Sequence, residues 1–231
     1  MQSPTMPTRR TTLSTLGLLA ALATAGPSLA APATPMNGAE YLTLPARQDV
    51  KAAAPQVEVI EFFMYHCPFC YQLEPELAAW VQRQGKAIAF RRVHIPYTGA
   101  ADPEAHLFLT VDALGMGEPM FAKIEHAVHV ERIRLNQDGP ILEWAVKNGI
   151  DRARFLDAWN SFGVTTALRR LPRTVTDYGV TSAPQLVVNG RYVTSPAQAV
   201  SRTGTTQNPN QAVIAVLDAL VRKAQADNAG K

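Results

Sequence analysis

Apolar residues run almost without interruption over 57–64, which predicts a β-strand buried on both faces. Behind it, Leu73, Leu77, Trp80 and Val81 recur at helical spacing, so a helix opens at Cys67 and ends near Gly85. Residues 87–93 read as a second strand. The resulting βαβ unit predicts a parallel pair with a right-handed crossover. Upstream, 31–40 is a leader, 41–44 suits a short edge strand, and 51–55 is an Ala/Pro connector.

From 102 to about 178 the period changes to helices alone. Asp102-Pro103-Glu104 supplies a cap, a first-turn proline and an early acid for a helix holding Leu107, Phe108, Val111 and Leu114. Glu118-Pro119 opens a second, extending as far as Ile133. Asp138-Gly139-Pro140 opens a third that Gly149 closes. Asp151 caps a fourth that Gly163 stops, and a last stretch, 165–176, contains Pro172, which should kink or split it. β character returns in two short runs around Asn189-Gly190, a strong hairpin signal. A final helix capped at Asn208-Pro209-Asn210 carries Val213, Val216, Leu217, Leu220 and Val221 along one side. The fold class is therefore α/β: βαβ followed by ββα, one central mixed sheet of about four strands, with an inserted all-helical domain. The domain boundaries expected are 1–30, 31–100, 101–178 and 179–231, the second and fourth forming one sheet-containing unit. No internal repeat is present.

The composition, 47% hydrophobic and 18% charged over 231 residues, is that of a globular chain. The formal charge of +3 owes much to Arg9 and Arg10. Removing residues 1–30 leaves 20 basic against 19 acidic residues, a net of +1, so no nucleic-acid footprint is expected. Those thirty residues have the three parts of a secretory signal: a polar start ending in the arginines, an apolar stretch over 13–25, and Ser28-Leu29-Ala30 for cleavage after Ala30. Thr12 stands where a twin-arginine signal usually has an aromatic. The apolar run is also well short of the ~20 residues that a membrane span needs. The mature chain is expected to be exported and to reside in the periplasm, where disulfides form.

Candidate chemistry centres on the two cysteines, the only ones in the chain, in Cys67-Pro68-Phe69-Cys70. Pro68 at the first helical position leaves Cys67 at the N-cap, with its sulfur facing free backbone N–H groups and the positive end of the helix dipole. Cys70, one turn in, is expected to be more buried and to act as the resolving thiol. A structural disulfide across two residues would restrain little chain entropy. A zinc site would need two ligands besides the cysteines, and only His66 is at hand. Two inert buried thiols are the remaining alternative. Pro184, in Thr181-Ser182-Ala183-Pro184-Gln185, is either punctuation before a strand or a cis proline presenting the Ala183 backbone to an extended polypeptide.

Glu61-Phe62-Phe63, Cys67-Pro68-Phe69-Cys70-Tyr71 and Pro184 ahead of Val187-Val188-Asn189-Gly190-Arg191-Tyr192 resemble the thioredoxin superfamily. More closely, they resemble the bacterial periplasmic DsbA group of thiol:disulfide interchange proteins, over about 38–221. The resemblance implies a thioredoxin-like fold with a helical cap, attack by Cys67, resolution by Cys70 and a cis Pro184. It implies oxidation of unfolded exported polypeptides by a monomer, with no cofactor beyond the Cys67–Cys70 disulfide. Reoxidation would come from a DsbB-like membrane quinone reductase. Pro75 matches the proline that kinks this helix in thioredoxins. The resemblance also favours a buried, proton-relaying Glu61 over an exposed edge acid, with Arg92 as its charge partner. Pro68, Phe69, His66 and Ala183 are the expected substrate contacts.

One residue departs from the pattern. The DsbA motif usually has His where this chain has Phe69, and that imidazole supports the thiolate; a milder oxidant is therefore expected. His66 could restore part of the effect, although adjacent side chains at a helix start diverge. His94, His106, His126 and His129 show no ligand spacing. Met64, Tyr65, Phe69, Tyr71, Met116 and Met120 are either lining of an apolar substrate groove or core. Two other functions stay open: an isomerase or reductase of the same superfamily, for whose dimerisation domain residues 31–56 leave too little chain, and a periplasmic chaperone or metal carrier. Replacing Cys67 would abolish the oxidase activity and spare a carrier.

Overall fold

The structure is a computed structural model that describes residues 1, 34–202 and 208–229, so the expected signal segment lies outside the described residues. Its central sheet has five strands: β1 (Leu42–Thr43), β2 (Val57–Phe63), β3 (Ile88–His94), β4 (Gln185–Val188) and β5 (Tyr192–Thr194), in the order β1-β5-β4-β2-β3. β2 runs parallel to β3 and antiparallel to β4, while β1 pairs antiparallel with β5 at one edge. Counting the edge strand brings the sheet to five rather than four.

Every residue of β2 is buried, as its unbroken apolar run requires. Its alternation sends Val57 and Val59 to one face and Ile60 and Phe62 to the other. On the first face lies α1 (Pro68–Gln84), whose Leu73, Leu77 and Trp80 meet Val213, Leu217 and Leu220 of α8 (Pro209–Ala229). Burying each of these side chains is worth about 1.5–3 kcal/mol. Asp218 fastens the two helices, accepting from Trp80 Nε1 at 2.8 Å and Gln84 Nε2 at 2.9 Å. The side chain of Asn208 accepts from Asn210 N–H at the start of α8.

Asn189 and Gly190 both have positive φ, which is the conformation a tight hairpin with right-handed strand twist needs. A Cβ on Gly190 would stand 2.4 Å from the Gln48 carbonyl oxygen, so the close approach also excludes a side chain.

Between β3 and β4 the chain is helical: α2 (Pro103–Ala113), α3 (Gly117–His129), α4 (Asp138–Lys147), α5 (Arg152–Trp159) and α6 (Phe162–Asp177). Asp102 caps α2, accepting from Ala105 N–H at 2.8 Å and from the Thr98 backbone and hydroxyl at 2.9 Å each. Two expectations need correction. Gly163 does not stop the fourth helix: α5 ends at Trp159, Ser161 caps the next, and Gly163 lies in its first turn, where glycine costs little. Nor does Pro172 split α6, which continues from Phe162 to Asp177. A four-residue helix, α7 (Pro196–Ala199), capped by Ser195, has too little length to show periodicity and was not expected. No described helix is long and apolar enough to cross a membrane.

Candidate active site at the start of helix α1

The strand and the helix α1 meet at Met64–Cys67. There Phe63, Tyr65, Cys67 and Cys70 join the apolar cluster of the inserted helices, with Leu107, Phe121 and Ile124. The cysteine pair thus sits at the seam between sheet and helical segment, in the dithiol form. Cys67 occupies the N-cap with extended backbone and no side-chain cap bond, and Pro68 follows it. Its sulfur is free to receive hydrogen bonds instead. The Cys70 thiol donates first, and the N–H groups of Cys70 and Phe69 add to it; against burial, these and the His66 charge hold Cys67 at about 6. Cys67 is therefore largely thiolate at neutral pH. Cys70, which donates to that thiolate and is more deeply buried, is pushed far in the opposite direction. The two thiols have different tasks built into their surroundings.

Across the cleft, the Ala183–Pro184 bond is cis and Cys67 Sγ lies 3.5 Å from the Ala183 carbonyl oxygen. Beside them opens a cavity of about 900 Å³ lined by Phe69, Gln72, Ala183, Pro184, Pro196 and Asn210. Phe69 itself is 64% exposed, an apolar ring offered to solvent at the mouth of the site. Tyr71 is half-exposed and stacks on His129 with ring centroids 4.5 Å apart. Tyr65 and Met120, in contrast, are buried core residues rather than groove lining, because the turn after β2 and the inner face of α3 direct them inward.

Glu61 lies wholly inside, on the β2 face towards α1, and accepts from Arg92 Nε at 3.0 Å. Burial outweighs the guanidinium, and the carboxyl is pushed up to about 7. Arg92 has more claims on it than Glu61 alone: Glu74 receives Nη2 at 2.9 Å and Glu118 receives Nη1 at 3.0 Å. The ring of Phe121 lies 3.9 Å below the same cation. One guanidinium thus serves three carboxylates, which is why Glu61 is undercompensated. Glu125, buried on α3 with one carboxyl oxygen unpartnered, is raised by burial and by Glu74 and Glu61 to about 8.

His66 turns towards the start of α2, into a cavity it lines with Tyr97, Glu104 and Arg132. Its Nδ1 lies 2.6 Å from Glu104 Oε2, and this contact raises the imidazole above its usual range. Burial opposes ionisation of Glu104, yet the hydrogen bond and charge of His66 prevail, and the carboxyl is held at about 2. Nothing in the sequence marks Glu104, Glu118 or Glu125 as site residues, since each reaches the site from an inserted helix whose docking the pattern leaves open, and Glu74 on α1 has no local partner to single it out. No group of three or more His, Cys, Asp or Glu among the described residues is arranged to hold a metal ion.

A family model for a DSBA-like thioredoxin domain matches residues 99–203. The thiol:disulfide interchange protein DsbA of Burkholderia cepacia is 38% identical over 213 residues, 92% of this chain and 96% of that protein. The protein of the same name from Azotobacter vinelandii is 34% identical over 174 residues, 75% of this chain and 80% of that one. In structure, the chain is similar to crystalline DsbA of Pseudomonas aeruginosa, with a TM-score of 0.73 and 26% identity over 84% of this chain and 96% of that one.

Proposed function

This chain belongs to the DsbA family of thioredoxin-fold thiol:disulfide oxidoreductases, and on that premise we propose that it donates disulfide bonds to newly exported proteins in the periplasm. The observation that carries the reading is the unequal dithiol: an acidic Cys67 at a helix N-cap beside the Ala183 carbonyl, over a buried, proton-holding Cys70. A thiolate that stable in the reduced enzyme makes the disulfide easy to reduce, hence a good oxidant of others.

In the oxidised enzyme a substrate thiolate attacks Cys67 Sγ, the Cys67–Cys70 bond breaks, and Cys70 leaves with the bonding pair. Cys70 cannot remain charged in its buried position and takes a proton; Glu61, poised near neutrality, is the group suited to supply it. The substrate's second thiolate then attacks its own sulfur in the mixed disulfide and releases Cys67 as the thiolate. Two electrons have passed to the enzyme and one disulfide to the substrate, with no cofactor required. Ala183, ahead of Pro184, offers backbone for pairing with an extended substrate, while Pro68 and Phe69 line its path. A DsbB-like membrane quinone reductase would remove the electrons. The cleaved signal at residues 1–30 would deliver the chain, acting as a monomer, to that compartment.

The test is stoichiometric: the oxidised mature protein is mixed with a reduced, unfolded substrate, and one disulfide per enzyme should be transferred. Cys67→Ser should abolish transfer. No transfer by the protein with both cysteines intact would turn the assignment towards a binding protein, and an enzyme disulfide more stable than those of its substrates would turn it towards a reductase.

A further inference from the structure

The motif Cys67-Pro68-Phe69-Cys70 holds no basic side chain of its own, yet Cys67 is acidic. We propose that His66, held by Glu104 at the start of α2 and adjacent in the chain to Cys67, is the positioning residue that supplies positive charge to the Cys67 thiolate. The proposal rests on the reading of Cys67 as the attacking thiol and deepens it by naming what sets its strength.

Three geometric features carry it. First, Glu104 is fixed before it meets His66. It stands in the opening turn of α2, which Asp102 clamps through three hydrogen bonds to Thr98 and Ala105, and its side chain is only 8% exposed. Second, its carboxylate has one cationic partner there. His94 Nε2 lies 3.7 Å away, but that nitrogen accepts the Tyr65 N–H at 3.2 Å and so presents a lone pair. The carboxylate at His66 Nδ1 therefore determines the tautomer and secures the proton, leaving the other nitrogen unconsumed by any described protein partner. Third, the charge is placed against the interest of the helix. A cation just before the N-terminus of α1 opposes the helix dipole, and α1 has no acid in its first turn to offset it. A negative sulfur at the N-cap reverses that sign, so the placement suits the thiolate rather than the helix.

The charged and titratable groups facing this pair are Asp102 and Glu104 from the start of α2, His94 from β3, Tyr97, His129 from α3, Arg132 and Arg134 after it, and the two cysteines. Glu61 and Glu125 face the sulfur from β2 and α3. Among these, Glu104 has two opposed routes to Cys67. Directly, its negative charge disfavours the thiolate. Through His66, it keeps a proton one residue from the sulfur.

The sign of one substitution separates them. The apparent pKa of Cys67 is read from the ultraviolet absorbance of the thiolate in the full mature protein, with far-ultraviolet circular dichroism confirming the fold. Glu104→Gln should raise it by roughly 0.5–1, as should His66→Phe, and the double variant should go no further. In the glutathione equilibrium at pH 7, a rise of 1 from about 6 makes the disulfide roughly fivefold less oxidising. His66→Lys, whose charge needs no partner, should keep the thiol acidic, and adding Glu104→Gln to it should lower the pKa or leave it unchanged. A lowered value in Glu104→Gln alone, or no change in His66→Phe, overturns the proposal while Cys67 still exchanges disulfides. Loss of the parent reading would show differently, as exchange surviving Cys67→Ser.

Discussion

Replacing Glu61 by Gln should make the reduced protein more stable, and increasingly so as pH rises. The carboxyl holds its proton up to about 7 in the folded state, against an ordinary value of 4.5. Between those two values the unfolded chain has released a proton that the folded chain still keeps. Stability therefore falls as pH climbs through the window, and the loss is complete above about 7. Its size is on the order of 3 kcal/mol, from 1.36 kcal/mol for each of the 2.5 pH units between 4.5 and 7. Gln is close to a permanently protonated Glu: its oxygen can still accept from Arg92 Nε, and Glu74 and Glu118 still neutralise the guanidinium. Urea unfolding of both reduced proteins should give nearly equal free energies at pH 4 and a gap of about 2–3 kcal/mol in favour of the Glu61→Gln variant at pH 8. In the oxidised proteins the gap should narrow, because the Cys67 thiolate, which helps raise Glu61, is then gone. A gap independent of pH, or a less stable variant at pH 8, would refute the reasoning.

Other outcomes follow from the same geometry. Phe69→His places a second imidazole in the first turn of α1, where the Phe69 N–H already faces the sulfur, and should raise the reduction potential in a glutathione titration; an unchanged potential would count against the role assigned to Phe69. Gly190→Ala combines a φ of +62° with a Cβ at 2.4 Å from the Gln48 carbonyl and should cost about 2 kcal/mol or more, seen as a lower thermal midpoint. Asp102→Ala removes the acceptor of three hydrogen bonds at the head of α2 and should cost roughly 1–3 kcal/mol by urea unfolding. The same change should loosen Glu104 and so raise the Cys67 pKa, read by thiolate absorbance.

Much of the scaffold is written in short-range signals. β2 declares itself by composition, the hairpin by Asn189-Gly190, and the opening of α2 by Asp102-Pro103-Glu104, each a case where local chemistry and the final fold agree. Gly163 misled because glycine ends helices more often than it sits in their first turns, and only Ser161 two residues earlier marks the true start. Tyr65 and Met120 look like groove residues in sequence because a short apolar stretch carries no record of which side will be covered. The site divides in the same way. Cys67, Cys70 and Pro184 are marked by motif, and Glu61 with Arg92 by strand neighbourhood, whereas Glu104 reaches His66 across 38 positions and Glu118 reaches Arg92 across 26. Nothing in local spacing encodes such pairs, since they depend on how the inserted helices dock.

The contact between Cys67 and Ala183 spans 116 positions of chain, and that separation sets an order of events. Closing a loop of that length costs roughly 4 kcal/mol in chain entropy before any contact offsets it. The strand that carries the cleft's far wall, β4, together with β5 and α8, is synthesised after the entire helical segment. As the chain is made amino end first, its cysteines appear well before the wall that will face them. The cleft is thus a late product of synthesis: until the carboxyl-terminal fifth has docked, Cys67 stands at its helix start with no wall opposite it.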